Sequence, residues 1–283
     1  MTWLPDPVLR HLREVCEAPD LSGTRYRLLG ELGRGGEGTV YLAEDQALGR
    51  EVALKVLDNP LEARKLASIE HPGVVPVHDS GVLPDGRLFY TMKRVAGVRL
   101  CEFATAGHNL GERLLVFVHI CDTIAFAHQR GLLHCDLKAE NIMVGQFGEA
   151  LVMDWGLARP AGAGEPAGTP GVTAPEQERG EFSPAGDVYA LGGILQSLLP
   201  ADAPKRLRAI AAMAHAEDPA ERYASVRELR ADLDRYLGGV PVRAYREGIG
   251  ERALALLTRH GALVLLLVAY LLARAAVLLF RNR

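Results

Sequence analysis

A concentrated group of polar side chains lies in residues 134–141, which read His-Cys-Asp-Leu-Lys-Ala-Glu-Asn. An apolar stretch at 111–129 precedes them and predicts a largely buried helix that leads into this segment. The spacing lets Asp136 face a hydroxyl nucleophile, Lys138 a phosphate in transfer, and Asn141 a metal ion. Such a concentration of polar groups is hard to explain as solvated surface, and we interpret it as a catalytic loop.

A carboxylate and a lysine lie at the ends of two apolar strands elsewhere in the chain. Asp154 follows the run Ala-Leu-Val-Met and precedes Trp155-Gly156, an arrangement that suits Mg²⁺. Lys55 ends the run Val-Ala-Leu-Lys, from which an ammonium could reach the α- and β-phosphates of a nucleotide. Glu62 could hold that ammonium by a salt bridge, although a lone helical glutamate is usually solvated.

A glycine cluster precedes the lysine strand, in the segment 33–40 that reads Gly-Arg-Gly-Gly-Glu-Gly-Thr-Val. Glycines let a backbone bend tightly over phosphates and offer N–H donors without an obstructing Cβ. Taken alone, a plain hairpin explains such a cluster equally well. A dinucleotide-binding fold is disfavoured, because a strand follows these glycines where that fold needs a helix.

The elements that must position these groups change character along the chain. Antiparallel strands are expected between Tyr26 and Leu57, and a helix at about 61–70 that ends before His71-Pro72. More strand is expected at 76–93, with a turn at Pro84-Asp85-Gly86. Two short strands flank 142–153, and further helices are predicted at 186–199, 205–216 and 225–237. A sheet followed by helices indicates an α+β fold.

In this order the groups resemble the eukaryotic-type serine/threonine protein kinase family, which also occurs in bacteria. The family order ends in Ala-Pro-Glu, present here as 174–176. The resemblance covers about 26–238 and implies a two-lobed protein kinase fold. A small antiparallel β N-lobe with one helix would span 26–95, and a mainly helical C-lobe 96–238. The implied activity is that of an ATP-dependent phosphotransferase on protein hydroxyls, with Mg²⁺ or alternatively Mn²⁺.

The resemblance also assigns a role to each matching residue. Asp136 would orient the substrate hydroxyl and accept its proton, while Lys138 and Thr169 mark serine/threonine kinases. The implied catalytic residues are Asp136, Lys138, Asn141, Lys55, Glu62 and Thr169. The implied metal ligands are Asn141 and Asp154. The implied nucleotide pocket comprises Leu32, Gly33, Gly35, Gly36, Gly38, Val40, Ala53, Lys55, Met92 and Met143.

The family pattern further implies contacts that support the site. Asp187 would brace the catalytic loop from a buried helix, and Glu176 would pair with Arg222. An apolar column linking the two lobes would comprise Leu66, His134 and Trp155. The segment Lys93-Arg94-Val95 would form the hinge.

Cys135 stands where the family usually has an arginine that pairs with a phosphate on the activation loop. Between Gly156 and Ala174 only Thr169 and Thr173 carry hydroxyls, and Thr169 already has a structural role. We therefore hypothesise that activity does not depend on phosphorylation of this loop. A redox role for Cys135 is disfavoured, because a thiol beside an aspartate has no partner that lowers its pKa.

The C-lobe is short, because the chain passes almost directly from Pro200 to Lys205. The family usually inserts a loop and a helix here that help dock protein substrates. This departure and Cys135 keep an alternative open: a catalytically silent pseudokinase that acts as a scaffold or nucleotide sensor at a membrane. A small-molecule kinase is disfavoured, because Thr169 and Ala174-Pro175-Glu176 belong to the platform for protein substrates.

The ends of the chain predict a membrane-anchored protein. Residues 261–280 are almost wholly apolar and long enough to span a bilayer as a helix; a buried or oligomerising soluble helix is the alternative. More arginines precede this segment than follow it, which predicts a single-pass protein of the cell membrane with a cytoplasmic kinase domain. Residues 239–260 would form a juxtamembrane linker. Residues 1–25, an amphipathic lead-in, lack a secretory signal.

Composition excludes some partners and leaves others open. The net charge of −3 and the scattered lysines and arginines argue against nucleic-acid binding. The four cysteines form no Cys-x-x-Cys pair, so zinc-ribbon and thioredoxin-like sites are not expected. The expected partners are ATP, proteins with serine or threonine, and the membrane. A homodimer that phosphorylates itself is compatible with the family.

Overall fold

The computed structural model describes residues 18–35, 38–57, 65–66, 68–246, 248, 270 and 273–274. Its N-terminal part is a five-stranded sheet in the order β1-β2-β3-β5-β4, and every neighbouring pair is antiparallel. The strands are β1 (Tyr26–Gly35), β2 (Gly38–Asp45), β3 (Arg50–Leu57), β4 (Val77–Val82) and β5 (Leu88–Lys93). The predicted antiparallel strands and the turn between β4 and β5 are confirmed.

The central strand β3 separates two apolar layers because its side chains alternate between the faces of the sheet. Val52, Leu54 and Val56 face a small cluster that includes the edge-on ring pair Tyr26 and Phe89. Ala53 and Leu57 belong instead to the main core of the molecule. Lys55 lies between these two in the strand, so the alternation places its side chain on the same face as the main core.

The segment after β3 ends its helix earlier than the sequence predicts. Lys65 and Leu66 are helical, whereas Ser68 is a turn and Ile69 and Glu70 are not helical. The backbone N–H groups of Ser68 and Ile69 each bond three residues back, a tightening typical of a helix end. Residues 61–64 and 67 of the predicted helix lie outside the described part.

A tight crossing ties this segment to the C-terminal half. The N–H of Val152 donates to the carbonyl of Gly73 at 2.8 Å, and Val74 and Val152 form a parallel bridge. A Cβ on Gly73 would collide with the hydroxyl of Thr123, so this close approach requires glycine.

The C-terminal half is mainly helical. Asn109 and Glu112 form a capping box that begins its longest described helix, and Pro184 begins another, where proline's fixed φ suits the first turn. The predicted helices are confirmed to within about two residues at each end. The helices are α1 (Leu100–Thr105), α2 (Leu110–Gln129), α3 (Pro184–Leu198), α4 (Lys205–Ala214) and α5 (Val226–Leu237), and the short strands are β6 (Gly97–Arg99), β7 (Ile142–Gly145), β8 (Ala150–Val152), β9 (Gly162–Ala163) and β10 (Glu181–Phe182).

The C-lobe core is formed by α2, α3, α4 and α5 around a continuous apolar cluster that also contains Trp155 and Ile142. Only residues 199–204 connect α3 to α4, so no helix lies between them. The shortened C-lobe seen in the sequence is therefore a feature of the fold.

Residues 239–246 fold back onto the C-lobe, and we call them the C-terminal strap. Val242 is buried in the main core. Asp232 on α5 has no exposed surface and accepts from the backbone N–H groups of Arg243 at 2.5 Å and Ala244 at 3.0 Å. It also accepts from the hydroxyl of Tyr223 at 2.8 Å. The first part of the segment expected to be a linker thus packs against the folded domain.

The described part of the chain contains no helix long and apolar enough to cross a bilayer. The predicted span 261–280 lies outside that part, except for Tyr270, Ala273 and Arg274, which are helical. Residues 1–17 of the expected lead-in and residues 247 and 249–260 of the expected linker also lie outside it.

Candidate active site

Three side chains of the predicted catalytic loop and Thr169 form one hydrogen-bonded cluster around the carboxylate of Asp136. The ammonium of Lys138 donates to Asp136 Oδ2 at 2.8 Å, and the amide of Asn141 donates to the same oxygen at 3.0 Å. The hydroxyl of Thr169 donates to Asp136 Oδ1 at 2.7 Å. Both oxygens of the carboxylate are therefore held in place, which fixes its rotation.

Thr169 reaches this cluster from 33 residues further along the chain. Its hydroxyl accepts from Lys138 Nζ at 2.7 Å while it donates to Asp136. The carbonyl of Thr169 accepts in turn from the hydroxyl of Thr173 at 2.8 Å. The segment that precedes Ala174-Pro175-Glu176 is thereby fastened to the catalytic loop.

Asp187 braces the loop from below, as the family pattern implied. Its carboxylate accepts from the backbone N–H groups of His134 at 2.9 Å and Cys135 at 3.0 Å, and from His128 Nε2 at 2.7 Å. Burial alone would raise the pKa of Asp187, but the hydrogen bonds and charges of His128 and His134 lower it below its ordinary value. His128 had no signature in the sequence.

The C-lobe carries the second predicted support as well. Arg222 pairs with both oxygens of Glu176, at 2.5 and 2.9 Å, and both side chains are almost fully buried. Arg222 also donates to the carbonyls of Ala185, Ala216 and Glu217. This pair fixes the end of the segment that contains Thr169.

Two residues of the site have left-handed backbone conformations. Cys135, which precedes Asp136, has φ 68°, and Asp154, a predicted metal ligand, has φ 59°. Such conformations cost about 1–3 kcal/mol for residues other than glycine and persist where the surroundings enforce them. The two bonds to Asp187 and the buried Trp155 supply that enforcement.

The predicted magnesium-binding turn Asp154-Trp155-Gly156 is anchored by an apolar column. Trp155 has no exposed surface, donates from Nε1 to the carbonyl of Val152 at 3.2 Å, and packs against His134 with ring centroids 4.6 Å apart. His134 Nε2 bonds the carbonyl of Met153 at 3.1 Å, and burial lowers the pKa of this imidazole. Leu66 belongs to the same core and is buried.

Lys55 crosses from the sheet to this turn. Its ammonium donates to Asp154 Oδ1 at 3.0 Å, and its side chain is almost fully buried. This contact places the predicted phosphate-binding cation beside the predicted metal-binding carboxylate. Glu62, the predicted anchor of Lys55, lies outside the described residues.

Asn141 and Asp154 have the donor chemistry that Mg²⁺ needs. Both amide hydrogens of Asn141 go to Asp136, to its backbone carbonyl and to its side chain, so its carbonyl oxygen is directed elsewhere. The part of the chain that the structure describes holds no group of three or more His, Cys, Asp or Glu residues that could bind a metal alone. Mg²⁺ is commonly held by one or two protein ligands plus phosphate oxygens and water, which fits these two residues.

Most of the residues predicted to surround the nucleotide lie on adjoining strands of the N-lobe sheet, whereas Met143 lies on β7 of a separate sheet. Val40 pairs with Lys55, and Ala53 with Met92, in the registers of the sheet. Gly33 pairs with Val40, so the glycine segment folds over β2. Leu32 is 47% exposed and Met143 is half-buried in β7.

At Gly38 of this loop the backbone leaves no room for a side chain. A Cβ on Gly38 would collide with the carbonyl oxygen of Val56, and its φ of 132° also requires glycine. Gly35 pairs with Gly38 across the loop, while Gly36 lies outside the described residues.

Cys135 lies in an apolar cluster with Leu133 and Phe182. Burial raises the pKa of its thiol to about 12, against the smaller opposing effects of Arg159 and Lys65. The guanidinium of Arg159 lies over the Phe182 ring, 4.2 Å from its centroid. The place expected for a phosphate-binding arginine is therefore apolar, and the thiol is protonated at neutral pH.

A sequence model of the protein kinase domain matches residues 26–229.

The chain belongs to the protein kinase domain family.

The kinase domain resembles curated bacterial proteins described as serine/threonine-protein kinase PknD. The protein from Chlamydia pneumoniae is 33% identical over 294 residues, which cover 77% of this chain and 31% of that protein. The one from Chlamydia muridarum is 34% identical over 298 residues, covering 76% and 32%. The chain spans about a third of the length of these relatives. The family resemblance found in the sequence is confirmed.

Proposed function

We propose that this kinase domain transfers the γ-phosphate of ATP to serine and threonine hydroxyls of proteins. The observation that carries the proposal is the cluster in which Lys138, Asn141 and Thr169 fix the carboxylate of Asp136. This carboxylate contacts both Lys138, the predicted phosphate contact, and Asn141, a predicted metal ligand, so it lies where a substrate hydroxyl would meet the γ-phosphate.

The residues divide the work of phosphoryl transfer between them. Asp136 is oriented to accept a hydrogen bond and then the proton of an attacking hydroxyl. Lys138, bonded to Asp136 and Thr169, brings positive charge to the place where phosphate and hydroxyl meet. Lys55, held at Asp154, contributes charge at the α- and β-phosphates.

Magnesium, when bound at Asn141 and Asp154, would neutralise charge on the phosphate oxygens. The protein's part is to hold both ligands rigidly. Asn141 is fixed by Asp136, and Asp154 by Lys55 and by the left-handed turn above Trp155. Thr169, which bonds both Asp136 and Lys138, is the residue that the family resemblance links to serine and threonine substrates.

The decisive experiment compares Asp136→Asn with the wild-type chain. With radiolabelled ATP and Mg²⁺, we expect phosphate transfer to a generic basic protein to fall by about 10³-fold, the scale of general-base catalysis. ATP binding should persist, because Asp136 contacts Lys138, Asn141 and Thr169. The predicted phosphate-binding residue Lys55 contacts Asp154 instead. Asp202→Asn, on the exposed connection between α3 and α4, is the matched control. Undiminished transfer by Asp136→Asn would refute the assignment.

A catalytically silent scaffold or nucleotide sensor is the alternative, and Cys135 favours it. The apolar surroundings of Cys135 remove the usual site for a loop phosphate. A wild-type chain that binds ATP but transfers no phosphate with either Mg²⁺ or Mn²⁺ would establish this alternative. The fixed geometry of Asp136 favours the active kinase.

The membrane-anchored, signalling role belongs to the same proposal. It rests on the apolar segment 261–280 and on the arginines that precede it, which favour a cytoplasmic kinase domain if that segment spans a membrane. Carbonate extraction of membranes should leave the full chain in the pellet and release a chain that ends at residue 260. Release of both would remove the anchor from the proposal.

Self-phosphorylation between two copies is a further part of the proposal. An inactive Asp136→Asn chain mixed with active chain should then become phosphorylated at a rate that rises with the concentration of the active chain. A rate independent of concentration would argue against a transient homodimer.

A further inference from the structure

Lys65 reaches from the N-lobe to the far end of the magnesium-binding turn. Its ammonium donates to the carbonyl of Gly156 at 2.9 Å, a contact between residues 91 positions apart. Lys65 is helical, half-buried and directly precedes the buried Leu66. Two lysines thus hold the turn from the N-lobe, Lys55 at Asp154 and Lys65 at Gly156.

The turn Asp154-Trp155-Gly156 depends on its surroundings to keep its conformation. Asp154 has a left-handed backbone, which favours escape to another conformation once its surroundings loosen. From the C-lobe, the turn is held by the buried Trp155 and its contact with His134. From the N-lobe, the turn is held by the hydrogen bond that Lys65 donates to the carbonyl of Gly156.

The activation segment offers no phosphate site that could supply this closure. Thr169 and Thr173 carry the only hydroxyls between Gly156 and Ala174. The first donates to Asp136, and the second donates to the carbonyl of Thr169. A phosphate on either hydroxyl would break a bond that the catalytic cluster uses.

On the C-lobe side of the turn, the cation beside Cys135 is Arg159, and its guanidinium is engaged elsewhere. Cys135 is packed against Leu133 and Phe182, and the guanidinium of Arg159 is occupied by the Phe182 ring and by the carbonyl of Glu165 at 3.4 Å. Lys65 is close enough for its charge to act on the thiol of Cys135. A positive charge therefore reaches this region from the N-lobe helix instead of from the catalytic loop.

We infer that Lys65 is a positioning residue that keeps the turn Asp154-Trp155-Gly156 in its metal-binding conformation without a phosphate on the activation segment. This deepens the proposed kinase function and rests on it. A charge-assisted hydrogen bond between the two lobes links the placement of the N-lobe helix to that of Asp154. Release of the bond lets the turn leave its strained conformation.

Trp155 provides a direct readout of the turn, because Trp3 is the only other tryptophan in the chain. In a Trp3→Phe background, Trp155 emission and its quenching by acrylamide report whether the indole stays buried. Lys65→Met should shift the emission to the red and increase quenching, while far-UV circular dichroism stays unchanged. Lys65→Arg, which keeps a charged donor, should restore burial at least in part.

Magnesium dependence gives a second readout that requires no catalysis. Binding of a fluorescent ATP analogue is titrated with Mg²⁺, and Lys65→Met should weaken the apparent magnesium affinity by about tenfold, as expected for loss of a hydrogen bond to a charged group. Lys205→Met, which removes a distant lysine at the start of α4, is the control and should leave both readouts unchanged. Where Lys65→Met fails to fold, Lys65→Gln takes its place.

Unchanged quenching and unchanged magnesium affinity in Lys65→Met would overturn the inference. So would a Lys65→Arg chain as disturbed as Lys65→Met, since a donor at this position would then not be what holds the turn. If the wild-type chain transfers no phosphate, the kinase proposal fails. The fluorescence and magnesium titrations still decide whether Lys65 holds the turn.

Discussion

Two buried aspartates hold two loops of the C-lobe in the same way. Asp187 accepts from the backbone N–H groups of His134 and Cys135, and Asp232 from those of Arg243 and Ala244. Each carboxylate is almost fully buried. One loop carries the catalytic cluster, and the other is the C-terminal strap.

The two aspartates differ in what their loops do. The loop above Asp187 contains Asp136 and Asn141. A small displacement of this loop would therefore move the predicted catalytic carboxylate and a predicted metal ligand. The strap above Asp232 carries Val242 into the core but no residue of the site. We therefore expect the same hydrogen-bonding arrangement to position the predicted catalytic groups in one case and to stabilise the fold in the other.

The largest expected effect distinguishes the two devices by activity. Asp187→Asn should reduce kcat by about 10²-fold or more, because a displacement of about 1 Å at reacting groups costs that much. Asp232→Asn should leave kcat nearly unchanged in the folded protein. Steady-state phosphate transfer, normalised to folded protein, measures both. Equal losses of kcat in the two variants would show that the strap also positions the site.

Removing the carboxylate of Asp232 should lower the free energy of unfolding substantially, although this residue lies outside the predicted active site. Asp232→Ala leaves two backbone N–H groups and the hydroxyl of Tyr223 without their acceptor, so we expect the free energy of unfolding to fall by about 2–4 kcal/mol. Asp234→Ala is the control: that carboxylate is 57% exposed, and its pair with Arg230 should contribute less than about 1 kcal/mol. Urea denaturation measures the difference, and similar small losses would mean that the strap is not anchored by Asp232.

Part of the pH dependence of stability should come from the predicted catalytic loop. Burial lowers the pKa of His134, so the unfolded chain binds a proton that the folded chain does not. The free energy of unfolding should therefore fall as pH falls below about 6.5, by up to about 1.4 kcal/mol per pH unit for one proton. The lowered pKa of Asp187 adds a further loss below about pH 4, because the unfolded chain protonates this carboxylate before the folded chain does.

Variants assign this slope to its source. His134→Phe should flatten part of the loss between pH 7 and pH 5, while Asp232→Ala should keep it. Burial also lowers the pKa values of His71 and His78, so some slope should remain. An unaltered slope in His134→Phe would place the titration elsewhere.

The smallest effect isolates one hydrogen bond of the strap. Tyr223→Phe removes the hydroxyl that donates to Asp232 but keeps the buried ring. We expect a loss of about 1 kcal/mol in the free energy of unfolding and no change in kcat. In an Asp232→Ala background the same substitution should cost less, because the acceptor is already gone. Full additivity would contradict a direct coupling.

The sequence predicts the Asp187 device and misses the Asp232 device for a physical reason. Asp187 lies within a family pattern, and its loop consists of residues that carry chemistry themselves. The partners of Asp232 on the strap are backbone N–H groups, which leave no trace in side-chain type. Lys65 was missed for a related reason, since a helical lysine resembles solvated surface until its carbonyl partner is known.

The fold was predictable to a similar depth. Periodicity and turn residues predicted the strands up to Lys93 and the long helices, whose ends differ by one or two residues where caps and packing decide them. The two-residue strands β9 and β10 were not predicted, because tertiary pairing alone creates them. The left-handed conformation of Cys135 has no local signature either, and follows from the two bonds to Asp187.

The C-terminal strap also limits how far the kinase domain can extend from a membrane. If residues 261–280 are embedded in lipid, the fourteen residues from 247 to 260 are all that separates the packed C-lobe from the bilayer. Fully extended, they span at most about 50 Å, and as a helix about 21 Å. A catalytic centre on so short a tether would meet proteins held at the same membrane surface at a raised effective concentration. Proteins dispersed in the cell interior would gain no such increase.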